Sequence, residues 1–301
     1  MTYLEIESFL AITKYGNLSA AAEALFISQP ALSRRMASLE NELGFQLFLR
    51  QKGGRSIQLT KEGIAFLDIA KKWKHLWNET VSIASTHKSP LLKLSSVGSV
   101  SNYIFPEVFR SFLKKYPNYK LSFHHYHSLA SYNYMENGLI DLAFVSDQRF
   151  SKGIRTLPAF SEPFVLVSGM EYPENKPIHP SMLTPENEIR LPWNDEYDAW
   201  HTRHFDESIY PYVTLNQMSL LDEFLTENTW AIVPMSVSHH LKTKGRHVYS
   251  LIDGPSDRII YYLTPEEGTS EIMKHFLSEL DMHLQTLDNV HSHLFSSLKN
   301  E

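Results

Sequence analysis

The sequence predicts a multidomain protein: an all-α N-terminal domain, a long helix leading out of it, and then a larger α/β domain. Three observations carry this. Apolar residues recur at helical spacing through the first sixty positions, a heptad-like stripe continues to about residue 85, and beyond Pro90 short apolar strands alternate with helical segments. That alternation is the pattern of a mostly parallel sheet. At 301 residues the chain is long enough for two domains that each bury a core. With 43% hydrophobic and 21% charged residues it has a globular composition.

Leu4, Ile6, Phe9, Leu10 and Thr13 predict a first helix, stopped by Gly16, which can adopt the left-handed conformation after a last turn. Ser19 is the expected cap of an alanine-rich second helix over 20–25, followed by a short turn at Phe26 and Ile27. Ser28 can cap a third helix over 29–43, with Pro30 tolerated because first-turn amides have no intrahelical partner. Leu32, Met36, Leu39 and Leu43 form its apolar stripe. Pro30, Ser33, Arg34, Ala37 and Ser38 lie on the other side, with Gln29 at the exposed end. Small or donor-bearing side chains of this kind can enter a major groove, with Arg35 nearby for phosphates. Arg50, Lys52 and Arg55 then mark a basic hairpin tip before a strand at 57–59, a wing over a phosphate backbone.

Thr60 is placed to cap a long helix to about residue 85 in which Phe66, Ala70, Trp73, Trp77, Thr80 and Ala84 recur at spacings of four and three. Two tryptophans on so narrow a stripe predict a partner helix. Packing onto the chain's own domain is the alternative. The run from His87 to Pro90 reads as a hinge.

The second domain is expected to begin with strand 91–97, loop 98–102, helix 104–115, strand 120–125, helix 129–136 and strand 142–145. A second series has strand 164–168, a helix near 218–226 and strand 230–234. Strand 258–263 and a helix from about residue 270 return to the first series.

The stretch GNLSAAAEALFISQPALSRRMASLENELGFQLFLRQKGGRSIQLTKEG combines the small-residue helix, S-Q-P-A-L-S-R, L-E-x-x-L-G and L-T-x-x-G at their expected separations. It closely resembles the signature of the LysR-type transcriptional regulators. The resemblance implies a winged helix-turn-helix over 1–60, a linker and dimerisation helix over 61–88, and an effector-binding domain over 89–301. That last domain is similar to periplasmic binding proteins, with lobe 1 at about 91–161 and 265–301 and lobe 2 at about 162–264. FPEVFRSFLKKYPNYKLSF and NGLIDLAFV follow the family pattern, whereas Glu227, Asn228, Thr229 and Trp230 replace its glycine-rich turn.

By the same resemblance Gln29, Pro30, Ser33 and Arg34 are expected at the groove, and Ser28, Arg35, Arg50, Lys52, Arg55 and Thr60 as backbone contacts or caps. Ser99, Val100, Ser101, Ser128, Phe160, Asn216 and Gln217 are the expected effector contacts, and their hydroxyls and amides suit a small carboxylate. The implied partners are an operator in double-stranded DNA, a small-molecule co-inducer, RNA polymerase and the chain itself, as a homodimer assembling to a tetramer. No cofactor and no membrane partner are implied. The segment 191–200, rich in aromatic and acidic residues, is expected either to line the cleft or to pack against a neighbouring subunit.

Charge is divided unevenly. Residues 1–90 hold 11 Lys and Arg against 8 Asp and Glu, a net +3, whereas the remainder has 17 against 26, a net −9. The first domain is therefore the one suited to a polyanion. The absence of cysteine excludes disulfides and thiolate sites. Glu5 and Glu7 stand where an export signal would be basic, so a cytoplasmic location is expected. The twelve glycines form neither GxGxxG nor a P-loop, which points away from an enzyme. His124, His125, His127, His201, His204, His239 and His240 complete no recognised metal set, and none is expected.

Overall fold

The computed structural model describes residues 1–49, 57–83, 89–172 and 176–294. Its contacts divide into two compact units, Met1–Lys88 with Asn137–Leu139, and Ser89–Glu136 with Ile140–Glu301.

The first unit is built on helices α1 (Tyr3–Tyr15), α2 (Leu18–Ala24), α3 (Gln29–Leu43) and α4 (Lys61–Ile83). Thr2 and Glu5 form a capping box at the start of α1, and Gly16 ends the helix at φ 72°. The cap of α2 is Asn17 rather than Ser19: the Asn17 carboxamide accepts from the Ala20 amide at 2.7 Å, which leaves Ser19 inside the first turn. Ser28 caps α3 and Gly44 closes it at φ 77°. Ile6, Phe9, Ile12, Leu32, Met36, Leu39 and Leu47 form the shared core. Of the expected wing, an antiparallel bridge joins Phe48 to Leu59. Arg50, Lys52 and Arg55 lie outside the described residues.

Thr60 anchors the start of α4. Its hydroxyl donates to the Gln46 carbonyl at 2.7 Å and accepts from the Gly63 amide at 2.8 Å. Gly63 is required here, since a Cβ would lie 2.1 Å from the Leu47 carbonyl oxygen. The expected seam needs correction at Phe66 and Ala70, which are buried in the first unit's own core because α4 packs against α1. Trp73 leans on that core and stacks on Trp77, with ring centroids 5.6 Å apart and an interplanar angle of 6°. Thr80 is exposed and Ala84 lies outside the described residues. Among the described residues, the large apolar side chains left open on α4 are Ile64, Ile69, Leu76, Trp77 and Val81.

The second unit has two lobes. In the first, strands β1 (Leu91–Ser96), β2 (Lys120–His125) and β3 (Leu142–Val145) join β4 (Ile154–Glu162), β10 (Arg258–Pro265) and β11 (His291–Ser292) in the order β11-β4-β10-β3-β1-β2. Only β2-β1-β3 is parallel, because β4 and β10, the strands that cross between lobes, run antiparallel to each other and β10 runs antiparallel to β3. The sheet is thus mixed, not mostly parallel. Helices α5 (Gly98–Tyr103), α6 (Phe105–Lys115), α7 (Ser128–Glu136) and α11 (Glu271–Leu284) complete this lobe. Phe105 sits edge-on to Phe123, Phe144 and Phe276 at its centre. The expected loop 98–102 is helical, as α5.

In the second lobe β5 (Phe164–Ser168) pairs antiparallel with β8 (Trp230–Pro234) and β9 (His247–Tyr249). A small parallel pair, β6 (Ile189–Arg190) and β7 (Val213–Thr214), lies alongside α8 (Asp195–His204), α9 (Leu221–Phe224) and α10 (Met235–Thr243). The helix expected near 218–226 is a 3-10 turn at Met218–Leu220 followed by the single-turn α9. Where the glycine-rich turn is missing, the Thr229 hydroxyl holds the chain instead, accepting from the Thr226 amide at 2.7 Å and donating to the Phe224 carbonyl at 2.9 Å. Among the described residues no helix is long and apolar enough to cross a membrane.

Candidate functional site

Two surfaces carry the residues singled out by sequence, one on each unit. On α3 the 3.6-residue period buries Leu32, Met36 and Leu39 and exposes Gln29, Pro30, Ser33, Arg34 and Ala37 on the outer side. The Ser28 hydroxyl accepts from the Ala31 amide at 3.4 Å and fixes the leading end. Before it, Phe26 is almost wholly exposed at φ 55°, making the tight turn from α2. Arg35 departs from the expected set. One residue further round the helix, it is half-buried and its Nη1 donates to Ser8 of α1 at 3.4 Å. Hydrogen bonding, from Ser38 first and then from Thr2, holds the Glu5 carboxyl below its ordinary value. The exposed edge of α3 is therefore braced from behind.

In the second unit a cavity of about 910 Å³ opens between the lobes. Its first-lobe wall follows the carboxyl ends of the parallel strands: Gly98, Ser99, Ser101 and Asn102 after β1, His125, His127 and Ser128 after β2, and Ser146, Asp147 and Arg149 after β3. Open parallel sheets offer loops and amides at that edge. The second-lobe wall is Trp193, Asn194, Asp195, Asp198, Asn216, Gln217 and Met218, with Arg258 contributed by a crossover strand.

Five of the seven expected effector contacts, Ser99, Ser101, Ser128, Asn216 and Gln217, come together on this cavity. Val100 and Phe160 do not. Both are fully buried in the first-lobe core, because α5 turns Val100 inward and β4 turns Phe160 to the same side. The segment 191–200 divides: Trp193, Asn194, Asp195 and Asp198 face the cavity, while Tyr197 and Trp200 fill the second-lobe core.

Sequence reading missed the group at the cavity floor. Arg258 opens β10 directly opposite Glu162, which closes β4. Both are buried, and Glu162 Oε1 accepts from Arg258 Nε at 2.9 Å and Nη2 at 2.7 Å. The other oxygen accepts from the Ser236 amide of α10 at 2.6 Å. Arg258 Nη1 donates to Ser99 Oγ at 3.0 Å, and the guanidinium lies 5.5 Å from the Trp193 ring. One ion pair thus touches both lobes and both crossover strands. The only signal for it was a charged residue bordering each of two apolar runs, and their pairing across 96 residues is not readable from spacing.

The lobes also meet at Tyr103 of α5, whose hydroxyl donates to the Met218 carbonyl at 3.1 Å. Burial, with a smaller contribution from the Asp222 charge, pushes this hydroxyl up to about 12, so it remains a donor at neutral pH. Gly98 stands in the same contact, where an added Cβ would meet Met218 and His125 at 3.3 Å.

Known proteins align with both units. A family model described as "Bacterial regulatory helix-turn-helix protein, lysR family" matches residues 4–64, and one described as "LysR substrate binding domain" matches residues 85–285. The chain is 26% identical over 262 residues to the HTH-type transcriptional regulator YtlI of Bacillus subtilis (strain 168), covering 84% of this chain and 84% of that one. Full-length CbnR, solved in complex with its target DNA, superposes with a TM-score of 0.67 at 21% identity, over 94% of this chain and 100% of that one. A full-length OxyR variant from Pseudomonas aeruginosa gives 0.65 at 17% identity, over 94% and 95%. At these identities the likeness to the solved structures is one of fold.

Proposed function

The chain belongs to the lysR family of bacterial regulatory helix-turn-helix proteins, and from that premise we propose how its own residues divide the work of a DNA-binding transcriptional regulator. Gln29, Pro30, Ser33 and Arg34 enter the major groove and read base edges. Arg50, Lys52 and Arg55 of the wing hold the phosphate backbone, with Ser28 and Thr60 as caps. The observation that carries this reading is the single exposed, donor-bearing edge of a helix whose opposite side is locked into the core.

The cavity between the lobes takes a small-molecule effector. Two copies of the chain pair through α4 to set two recognition helices on one face of the duplex, and two such dimers form a tetramer. The effector favours one lobe arrangement over the other, which changes dimer-dimer geometry and hence promoter DNA or RNA polymerase engagement. The site of action is the cytoplasm.

The test is fluorescence anisotropy with DNA from upstream of the chain's own gene and a scrambled duplex, at several salt concentrations. Specific binding should persist at physiological salt and fall about 10- to 100-fold in Arg34→Ala, the loss expected for one base-reading arginine. Equal, weak binding to both duplexes, unchanged in the variant, would remove α3 as the reading element.

A further inference from the structure

The effector cavity is unusual in which of its charges are already cancelled. Arg258 is the cation at its floor, but buried Glu162 neutralises it through two hydrogen bonds to one oxygen. What Arg258 delivers to the cavity is direction instead. Ser99 Oγ accepts from Nη1, and among the described residues no acceptor takes the Ser99 proton, so that polarised hydroxyl is free to donate to an acceptor in the cavity.

The carboxylates on the walls are treated differently. Asp198 is paired with Arg190, whereas Asp147 from the first lobe and Asp195 from the second line the same cavity with no ion-pair partner among the described residues. Of the two arginines that line the cavity, Arg149 has no ion-pair partner among the described residues. A purely anionic ligand would face two open carboxylates in a domain already carrying a net −9. A simple amine would leave the Ser99 donor and Arg149 unused. A ligand with one group of each sign satisfies both ends. Trp193 and Phe123 add apolar wall, and about 910 Å³ is near the upper end for a small-molecule site, roughly 300–1,000 Å³.

We propose that the cavity takes a zwitterionic α-amino acid with an extended side chain, its carboxylate received by Ser99 and its ammonium held by Asp147 and Asp195. The inference rests on the cavity being the effector site. An ammonium held in this way would link carboxylates contributed by opposite lobes, so its binding favours closure of the cavity.

The experiment is calorimetric titration of the full-length protein with the twenty standard L-amino acids plus ornithine and citrulline, each binder then compared with its des-amino and decarboxylated analogues. At least one amino acid should bind, with both analogues weaker by about tenfold or more, the worth of a lost charge-assisted hydrogen bond. Ser99→Ala should weaken the amino acid and its des-amino analogue alike. Asp147→Asn should weaken the amino acid and leave the des-amino analogue unchanged, a split that general loosening of the site would not produce. Circular dichroism and DNA binding of each variant confirm that it is folded.

A des-amino analogue binding as tightly as its parent, and dependent on Ser99, would overturn the zwitterion while leaving the cavity as the effector site. An amino acid that binds equally well to both variants would overturn the cavity reading as well. No binding by any of the panel at millimolar concentration would overturn the proposal.

Discussion

Arg258 and Glu162 set the energetic stakes of the effector domain at single-residue level. Removing one member of a buried, hydrogen-bonded pair leaves the other charge stranded, at a cost of about 3–5 kcal/mol. Arg258→Met should therefore lower the thermal midpoint of the second unit sharply, and adding Glu162→Gln should recover part of the loss. Calorimetry of the single and double variants checks this, and additive losses would mean that the two side chains act independently.

Glu5 supplies a pH dependence with a fixed sign. Its carboxyl is held below its ordinary 4.5, so the stability it contributes is complete above that value and is lost as the pH falls through the depressed folded value. The first unit should weaken on acidification from about pH 4.5 downward, and Glu5→Gln should flatten that part of the profile in denaturant titrations. At this scale sequence reading located segments better than side-chain directions. Ser99 and Val100 are adjacent, yet one lines the cavity and the other fills the core, because α5 is a helix where a loop was expected.

Amphipathic helices and continuously apolar strands were legible, and elements whose existence depends on a distant partner were not. The third helix is bounded by Ser28 and Gly44, and β2, β3, β5 and β8 match their expected limits. By contrast β4 and α10 went unnoticed, and α8 was hidden in a segment whose aromatic residues face both the core and the cavity. The L-T-x-x-G motif that marked the start of α4 has a physical basis in two contacts with one segment, the Thr60 hydroxyl on Gln46 and the missing Cβ of Gly63 over Leu47. Gly63→Ala must displace a backbone carbonyl and should destabilise the first unit by about 1–3 kcal/mol, measured by urea titration. A neutral result would mean that the Leu47 segment yields freely.

For the whole molecule the decisive surface is the part of α4 that its own unit leaves bare. Phe66 and Ala70 are spent on the internal core, so any partner helix must be met by Ile69, Leu76, Trp77 and Val81. Ile69→Glu with Leu76→Glu should shift the protein to monomer in sedimentation velocity at micromolar concentration while leaving the core of the first unit intact. A retained dimer would place the main subunit contact elsewhere. The seam expected from the sequence ran through Phe66 and Ala70, which the first unit buries in its own core, because periodicity alone does not say which of two adjacent stripes a helix spends on its own domain. The same tryptophans give the protein an optical signature. Trp73 and Trp77 stack with nearly parallel rings at 5.6 Å on α4, and Trp193 stands in the cavity wall beside a guanidinium. If α4 is the surface through which subunits pair, near-ultraviolet circular dichroism should therefore report on the stacked pair during assembly and indole emission on the cavity as it fills, both in one unlabelled sample.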